Sequence, residues 1–264
     1  MKYPGRVVKA GEADARVVQA LKERLNRVLA LDGDPSLRLD PANPSYGPKM
    51  VQVVKLFQSR HTDATGHPLK PDGQVGSLTW AALFGEQSVP RAASASSPLL
   101  VEVLRVAAGE EARGVREQPK DSNRGPEVDL YLRSVGLGPG HMWCCAFVYW
   151  CFEQAAGNLG RANPMVRTAG CLDHWNRAAS RGAARVTRTQ AVADPGMLRP
   201  GMVLIMDYGG GAGHTGFVEK VSGGLVTTIE GNTNAGGSRE GGGVYRLERK
   251  IVSINKGFID YAAC

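Results

Sequence analysis

From Gly201 to the C-terminus the sequence breaks into short apolar runs, MVLIMDY, HTGFVEKV, GLVTTIE, GVYRLERK and VSINKGFIDY, punctuated by the glycine-rich turns GGGAG, SGG and NAGGSREGGG. Runs of this length with tight turns between them predict strands in an antiparallel meander. The stretch before them has a different period. Leu99–Ala108 is apolar at helical spacing, Val128–Val135 reads as a short second helix, and Trp143–Ala156 as a third, strongly apolar one. Helices followed by strands predict an α+β domain in which helices pack on an antiparallel sheet.

Further upstream, SVPRAASASSP (Ser88–Pro98) is small, polar and proline-flanked, the composition of a flexible linker. It divides the 264 residues into a helical domain over 1–88, a linker over 89–98 and the α+β domain over 99–264. In the first domain Val17, Val18, Leu21, Leu25, Val28 and Leu29 recur at helical spacing, and Met50, Val53, Val54 and Phe57 form a second stripe. Ser77 is placed as the N-cap of a third helix carrying Leu78, Trp80, Ala81 and Leu83. A small three-helix bundle is expected.

The net charge of +7 is spread along the chain. No basic run interleaved with aromatics appears, so no nucleic-acid partner is expected. A diffuse positive field favours an anionic polymer such as a cell wall, and serves solubility equally well. No window approaches a membrane span, and the N-terminus lacks the apolar core of a signal peptide. The chain is therefore expected to be made in the cytoplasm without a signal peptide, to insert stably in no membrane, and to act as a monomer. Five cysteines, an odd number at 144, 145, 151, 171 and 264, suit free thiols better than a disulfide framework. With no CxxC or HxxxH pair, neither a metal nor another cofactor is expected.

A nucleophilic cysteine needs a stabilised thiolate, a base within reach and donors for an oxyanion. Cys144 is placed at the first turn of an apolar helix, where free N–H groups and the helix dipole supply the first and third. His214 follows a flexible GGGAG loop and opens an apolar strand, which makes it the candidate base. Val226, Thr228 and Glu230 share one face of the next strand by the period of two, so Glu230 is within reach of His214 from a neighbouring strand. A carboxylate there would fix the imidazole tautomer and raise its basicity. Asn232 is the candidate for the same task with a neutral amide, or for polarising the substrate. Cys145 lies about 100° further round the helix and reads as a small buried residue. Cys151 reads as core, His174 as surface or helix packing, and Cys171 and Cys264 have no motif around them. Glu117, Asn123 and Arg124 lie in a charged loop before the nucleophile; lining a substrate groove and plain solvation explain them equally. Trp143 is a further candidate for substrate contact.

WCCAFVYWC (Trp143–Cys151), GHTGFVEKV (Gly213–Val221) and TIEGNTN (Thr228–Asn234) are similar to the CHAP domain, the cysteine- and histidine-dependent amidohydrolase branch of the papain-like superfamily. The resemblance spans roughly residues 100–264 and implies Cys144 as nucleophile, His214 as base, and Glu230 and Asn232 as their partners. It departs from the family at Cys145, where a small residue such as Ala is more usual. In the first domain, YGPKMVQVVKLFQSRH (Tyr46–His61) and PDGQVGSLTWAALFG (Pro71–Gly85) resemble a peptidoglycan-binding module with an intact second D-G-x-x-G turn. That resemblance implies glycan or stem-peptide contacts, with Asp72 and Trp80 as candidates, although Trp80, Phe57 and Leu83 also read as core. Together the two resemblances imply a modular endolysin-like hydrolase that cleaves peptidoglycan amides, as a muramoyl–L-Ala amidase or an endopeptidase. They further imply action on the cell wall in the periplasm after release. A secreted wall-targeting toxin or remodelling amidase, and a non-catalytic wall-binding protein, are the alternatives.

Overall fold

The computed structural model describes residues 1–238 and 241–264; residues 239–240, inside the predicted NAGGSREGGG turn, lie outside the described residues. The chain divides into two compact units. One is Met1–Arg91 with Val192–Gly196 and Ser222–Gly224, and the other is Ala92–Ala191 with Met197–Val221 and Leu225–Cys264.

The first unit is built on α1 (Ala15–Val28), α2 (Pro48–Arg60) and α3 (Ser77–Phe84). Asp14 caps α1 by accepting from the backbone N–H groups of Arg16 and Val17, donors that would otherwise lack partners. Pro48 opens α2, where its missing N–H costs nothing. The predicted stripes turn inward: Val17, Val18, Leu21 and Leu25 pack with Met50, Val53, Val54 and Phe57 of α2 and with Trp80 and Leu83 of α3. Burying each such side chain contributes roughly 1.5–3 kcal/mol.

One expectation here is corrected. Ser77 is not the cap of α3; Gly76 holds that position without a side-chain bond, and Ser77 is the first helical residue, buried. The helix entry is fixed from α2 instead. Buried Gln58 donates through Nε2 to the Gln74 carbonyl (2.8 Å) and accepts at Oε1 from the Gly73 N–H (2.9 Å), so one amide side chain holds the whole turn. Trailing out of this unit, Val89 is buried in the same core.

In the second unit Ser97 caps α4 (Pro98–Ala112), which with α5 (Pro126–Ser134) packs against α6 (Cys144–Asn158). Helix α6 is apolar on nearly every side, as expected of a helix at the centre of a core. Its Phe147 and Phe152 reach Phe217 on the sheet. After α7 (Cys171–Arg177) come β1 (Ala184–Thr187), β2 (Val203–Gly209), β3 (Ala212–Ser222), β4 (Leu225–Thr233), β5 (Gly243–Lys250) and β6 (Gly257–Asp260). They form one sheet in the order β1-β6-β2-β3-β4-β5. The architecture is α+β, as the order of periods predicts.

The meander, however, stops at β5. The VSINKGFIDY run does not continue it: residues Ile251–Ser253 make a 3-10 turn, and β6 returns to pair antiparallel with β2, Val203 opposite Ile259. Asn255 pins the return by accepting from the Asp207 N–H (2.8 Å) and donating to the Asp207 carbonyl (2.6 Å). Strand β1, only four residues long, pairs with β6 and gave no sequence signal. Among the described residues no helix is long and apolar enough to cross a membrane.

Candidate active site

Cys144 is the first residue of α6, 5% exposed, and the cap residue Trp143 makes no side-chain bond to the helix start. The leading backbone N–H groups of α6 therefore stay available to an incoming oxygen. His214 lies on β3 opposite Met206 of β2, and Glu230 lies on the adjacent β4 opposite Tyr245 of β5. Both are fully buried, and His214 Nε2 meets Glu230 Oε2 at 2.7 Å. Among the described residues His214 Nδ1 has no hydrogen-bond partner, and the Cys144 thiol is near enough to act on the charge of the imidazole. Sequence reasoning grouped Cys144, His214 and Glu230 as one set, and the fold places His214 and Glu230 side by side on adjacent strands.

The close pairing depends on two glycines. A Cβ on Gly216 would stand 2.5 Å from Glu230 Cγ, and one on Gly231 would stand 2.8 Å from the rings of Phe147 and Trp143. The glycines of the H-T-G and E-G-N motifs are thus what lets β3, β4 and α6 close around the carboxylate.

Glu230 is held by more than His214. Thr228 Oγ1 donates to its Oε1 (2.5 Å), and Arg249 of β5 forks onto both oxygens at 2.5 and 2.6 Å. Burial alone would raise its pKa, but the Arg249 and His214 bonds bring it down to about 2. Burial likewise opposes charging His214, yet the nearby Cys144 thiol and the bond to Glu230 lift it to about 9. The Cys144 thiol is pushed up by its contact with Cys171 and by burial, while His214 pulls it back. Net charge at the site is thus arranged as an ionised carboxylate facing an imidazole that readily holds a proton.

Two members of this arrangement were not legible beforehand. Arg249 lies in a polar alternating strand and gave no sign of reaching inward; its register opposite Val226 puts it on Glu230's face of the sheet. Cys171 opens α7, and its Sγ lies 3.6 Å from that of Cys144. Cys145, fully buried, directs its thiol to the Thr168 carbonyl (3.5 Å).

Asn232 is 1% exposed, adopts φ +57, and among the described residues neither atom of its amide finds a hydrogen bond. A buried amide in a left-handed conformation with nothing to bond is costly unless a ligand or water meets it. Trp143 is fully buried; its indole donates to Glu117 Oε1 (2.9 Å) and its ring packs on Tyr131. It braces the site from behind. Trp80 is likewise fully buried and presents no face to a glycan. Asp72, half-buried, accepts from Gln58 and from the Gln74 N–H and so organises its turn. Glu117 and Asn123, with Asp121 and Met142, line a recess of about 200 Å³ just before Cys144 in sequence. His174 is not a surface residue: it is fully buried, 2.8 Å from the Tyr261 hydroxyl. Among the described residues no group of three His, Cys, Asp or Glu side chains is placed to hold a metal ion.

A thiol at a helix start beside a buried His–carboxylate pair, with helices packed on an antiparallel sheet, is an arrangement suited to cysteine-dependent hydrolysis. Comparison with protein families bears on the same class. Residues 136–232 match the CHAP domain and residues 15–83 match the peptidoglycan binding domain, so the chain carries both. Together they support a peptidoglycan hydrolase. Comparison with curated proteins and with solved structures gives no match.

Proposed function

We propose that the chain hydrolyses amide bonds of the peptidoglycan stem peptide, with Cys144 as nucleophile, His214 as its base and Glu230 as the group that orients the base. The observation that carries this reading is the buried His214–Glu230 pair, whose remaining ring nitrogen is left for the Cys144 thiol. With Glu230 ionised, Nε2 keeps its proton toward the carboxylate and Nδ1 is the atom that exchanges a proton with sulfur. The thiolate attacks the amide carbonyl, and the N–H groups at the start of α6 hold the oxyanion. The imidazolium then protonates the leaving amine. Water, deprotonated by the same imidazole, hydrolyses the thioester. Asn232, with an unbonded amide, is suited to hold the substrate carbonyl or that water.

The N-terminal bundle would keep the enzyme on an insoluble substrate, raising local concentration without entering the chemistry. This layout suits a phage endolysin that reaches the wall after release, with a wall-targeting toxin or remodelling amidase as the alternative setting.

Turbidity loss of purified peptidoglycan with the wild type and with Cys144→Ser tests the nucleophile; equal rates in both would overturn it. Mass spectrometry of the released muropeptides then reads the bond. Stem peptides starting at free L-Ala identify an amidase, and new amines within the stem or cross-link identify an endopeptidase.

A further inference from the structure

Cys171 enters no step of the proposed hydrolysis, yet its thiol lies against that of the nucleophile. Its Sγ is 3.6 Å from Cys144 Sγ, both residues open helices, and they are 6% and 5% exposed, enough for a small oxidant. A Cβ on Gly213, next to His214 in the chain, would stand only 3.0 Å from that of Cys171, so α7 is packed directly on the strand that carries the base. A disulfide needs its sulfurs about 2.05 Å apart, so closing this pair takes about 1.6 Å of movement shared between two side chains.

We propose that Cys144 and Cys171 form an oxidisable dithiol: a peroxide converts them to a disulfide that withdraws the nucleophile and that thiol reductants restore. The Cys144 thiolate attacks hydrogen peroxide, breaking the O–O bond and becoming a sulfenic acid as one oxygen leaves as water. The Cys171 sulfur then displaces the sulfenic oxygen, which leaves as a second water as the S–S bond forms. Two thiols give up two electrons and two protons, and one peroxide is reduced to two waters. Cys171 thereby also shields Cys144 from further, irreversible oxidation to sulfinic acid. Cys145 is the less suitable partner because its thiol is turned to the Thr168 carbonyl.

The loss of activity rests on Cys144 being the nucleophile; the disulfide itself does not. The full chain is treated with hydrogen peroxide, digested without reduction and mapped by mass spectrometry, with wall lysis followed in parallel. The expected product is a cross-linked peptide pair containing residues 144 and 171, lighter by two hydrogens. Lysis falls by more than about tenfold and returns with dithiothreitol, because a disulfide sulfur is no nucleophile. In Cys171→Ser the same treatment is expected to carry Cys144 to sulfinic acid, with a loss that dithiothreitol does not reverse. A 145–171 cross-link, or sulfinic acid at Cys144 in the wild type with Cys171 still reduced, would overturn the proposal. A 144–171 cross-link in a chain that never lyses peptidoglycan would uphold the dithiol and overturn the functional reading.

Discussion

Two histidines of the α+β unit are fully buried, and their pockets treat them oppositely. His174 faces the Tyr261 hydroxyl at 2.8 Å and its ring stacks near that of the tyrosine; burial drives its pKa down to about 3, so it is neutral. His214 is buried to the same degree, but it faces Glu230 and Cys144 and is lifted to about 9. Burial disfavours the imidazolium in both places. What separates the two is the Cys144 thiol together with a buried carboxylate, kept ionised by an arginine one strand further out. The comparison locates the cost of the site as well: a charged carboxylate is retained inside a core because Arg249, Thr228 and His214 together satisfy it.

The bluntest way to break the comparison is to delete each ring. His214→Ala is expected to lower peptidoglycan lysis by on the order of 10³-fold or more, since general base and acid are lost together. His174→Phe should leave lysis near the wild-type rate, and comparable losses in the two would erase the distinction. Next in size is Glu230→Gln, with a loss on the order of 10²-fold. It also removes one of the two partners that raise His214, so the rising limb of the lysis-against-pH curve moves to lower pH; an unmoved limb would show that Glu230 does not set the base.

Arg249→Ala leaves the Glu230 carboxylate buried with one partner fewer and should cost about 3 kcal/mol in urea unfolding. A variant as stable as the wild type would mean the fork is dispensable. The smallest effect is on stability against pH. The raised His214 contributes stability that is complete below its unfolded value of 6.5 and is lost as pH rises through about 9. The depressed His174 contributes the reverse: its unfolded form takes up protons below 6.5 while the folded form resists until about 3, so stability falls as pH drops through that window. Thermal melting of His174→Phe should therefore lose less on acidification than the wild type does. Equal slopes would contradict the buried neutral imidazole.

Much of this was readable from residues alone. The change of period at Gly201 identified the α+β layout, and the helical start at Cys144, the strand start at His214 and the two-residue spacing to Glu230 placed the triad on separate elements that the fold joins. What escaped reading came from long-range pairing. Arg249 reaches Glu230 because of the β4–β5 register, and the glycine-rich connection between those strands signals a turn without setting that register. Cys171 lies at a helix start with no motif, and only the packing of α7 on β2 and β3 brings it to Cys144. His174 reads as either surface or helix packing because its short helix carries Asp173, Asn176 and Arg177 around it; the Tyr261 partner that makes its burial tolerable is 87 residues away. In the N-terminal unit Trp80 offered two readings, core and ligand contact, and its full burial gives the first.

Gly216 is the feature with the widest reach. It makes no hydrogen bond to the reacting groups and carries no charge, yet the space it vacates is where the Glu230 side chain lies. A methyl group there would lean on the carboxylate that steers the imidazole, while Cys144, His214 and Glu230 all kept their identities. A relative with Cys144, His214 and Glu230 intact but a larger residue at this position would have to displace Glu230 or the Ile229 carbonyl to fit it, disturbing a pair that an alignment shows as whole.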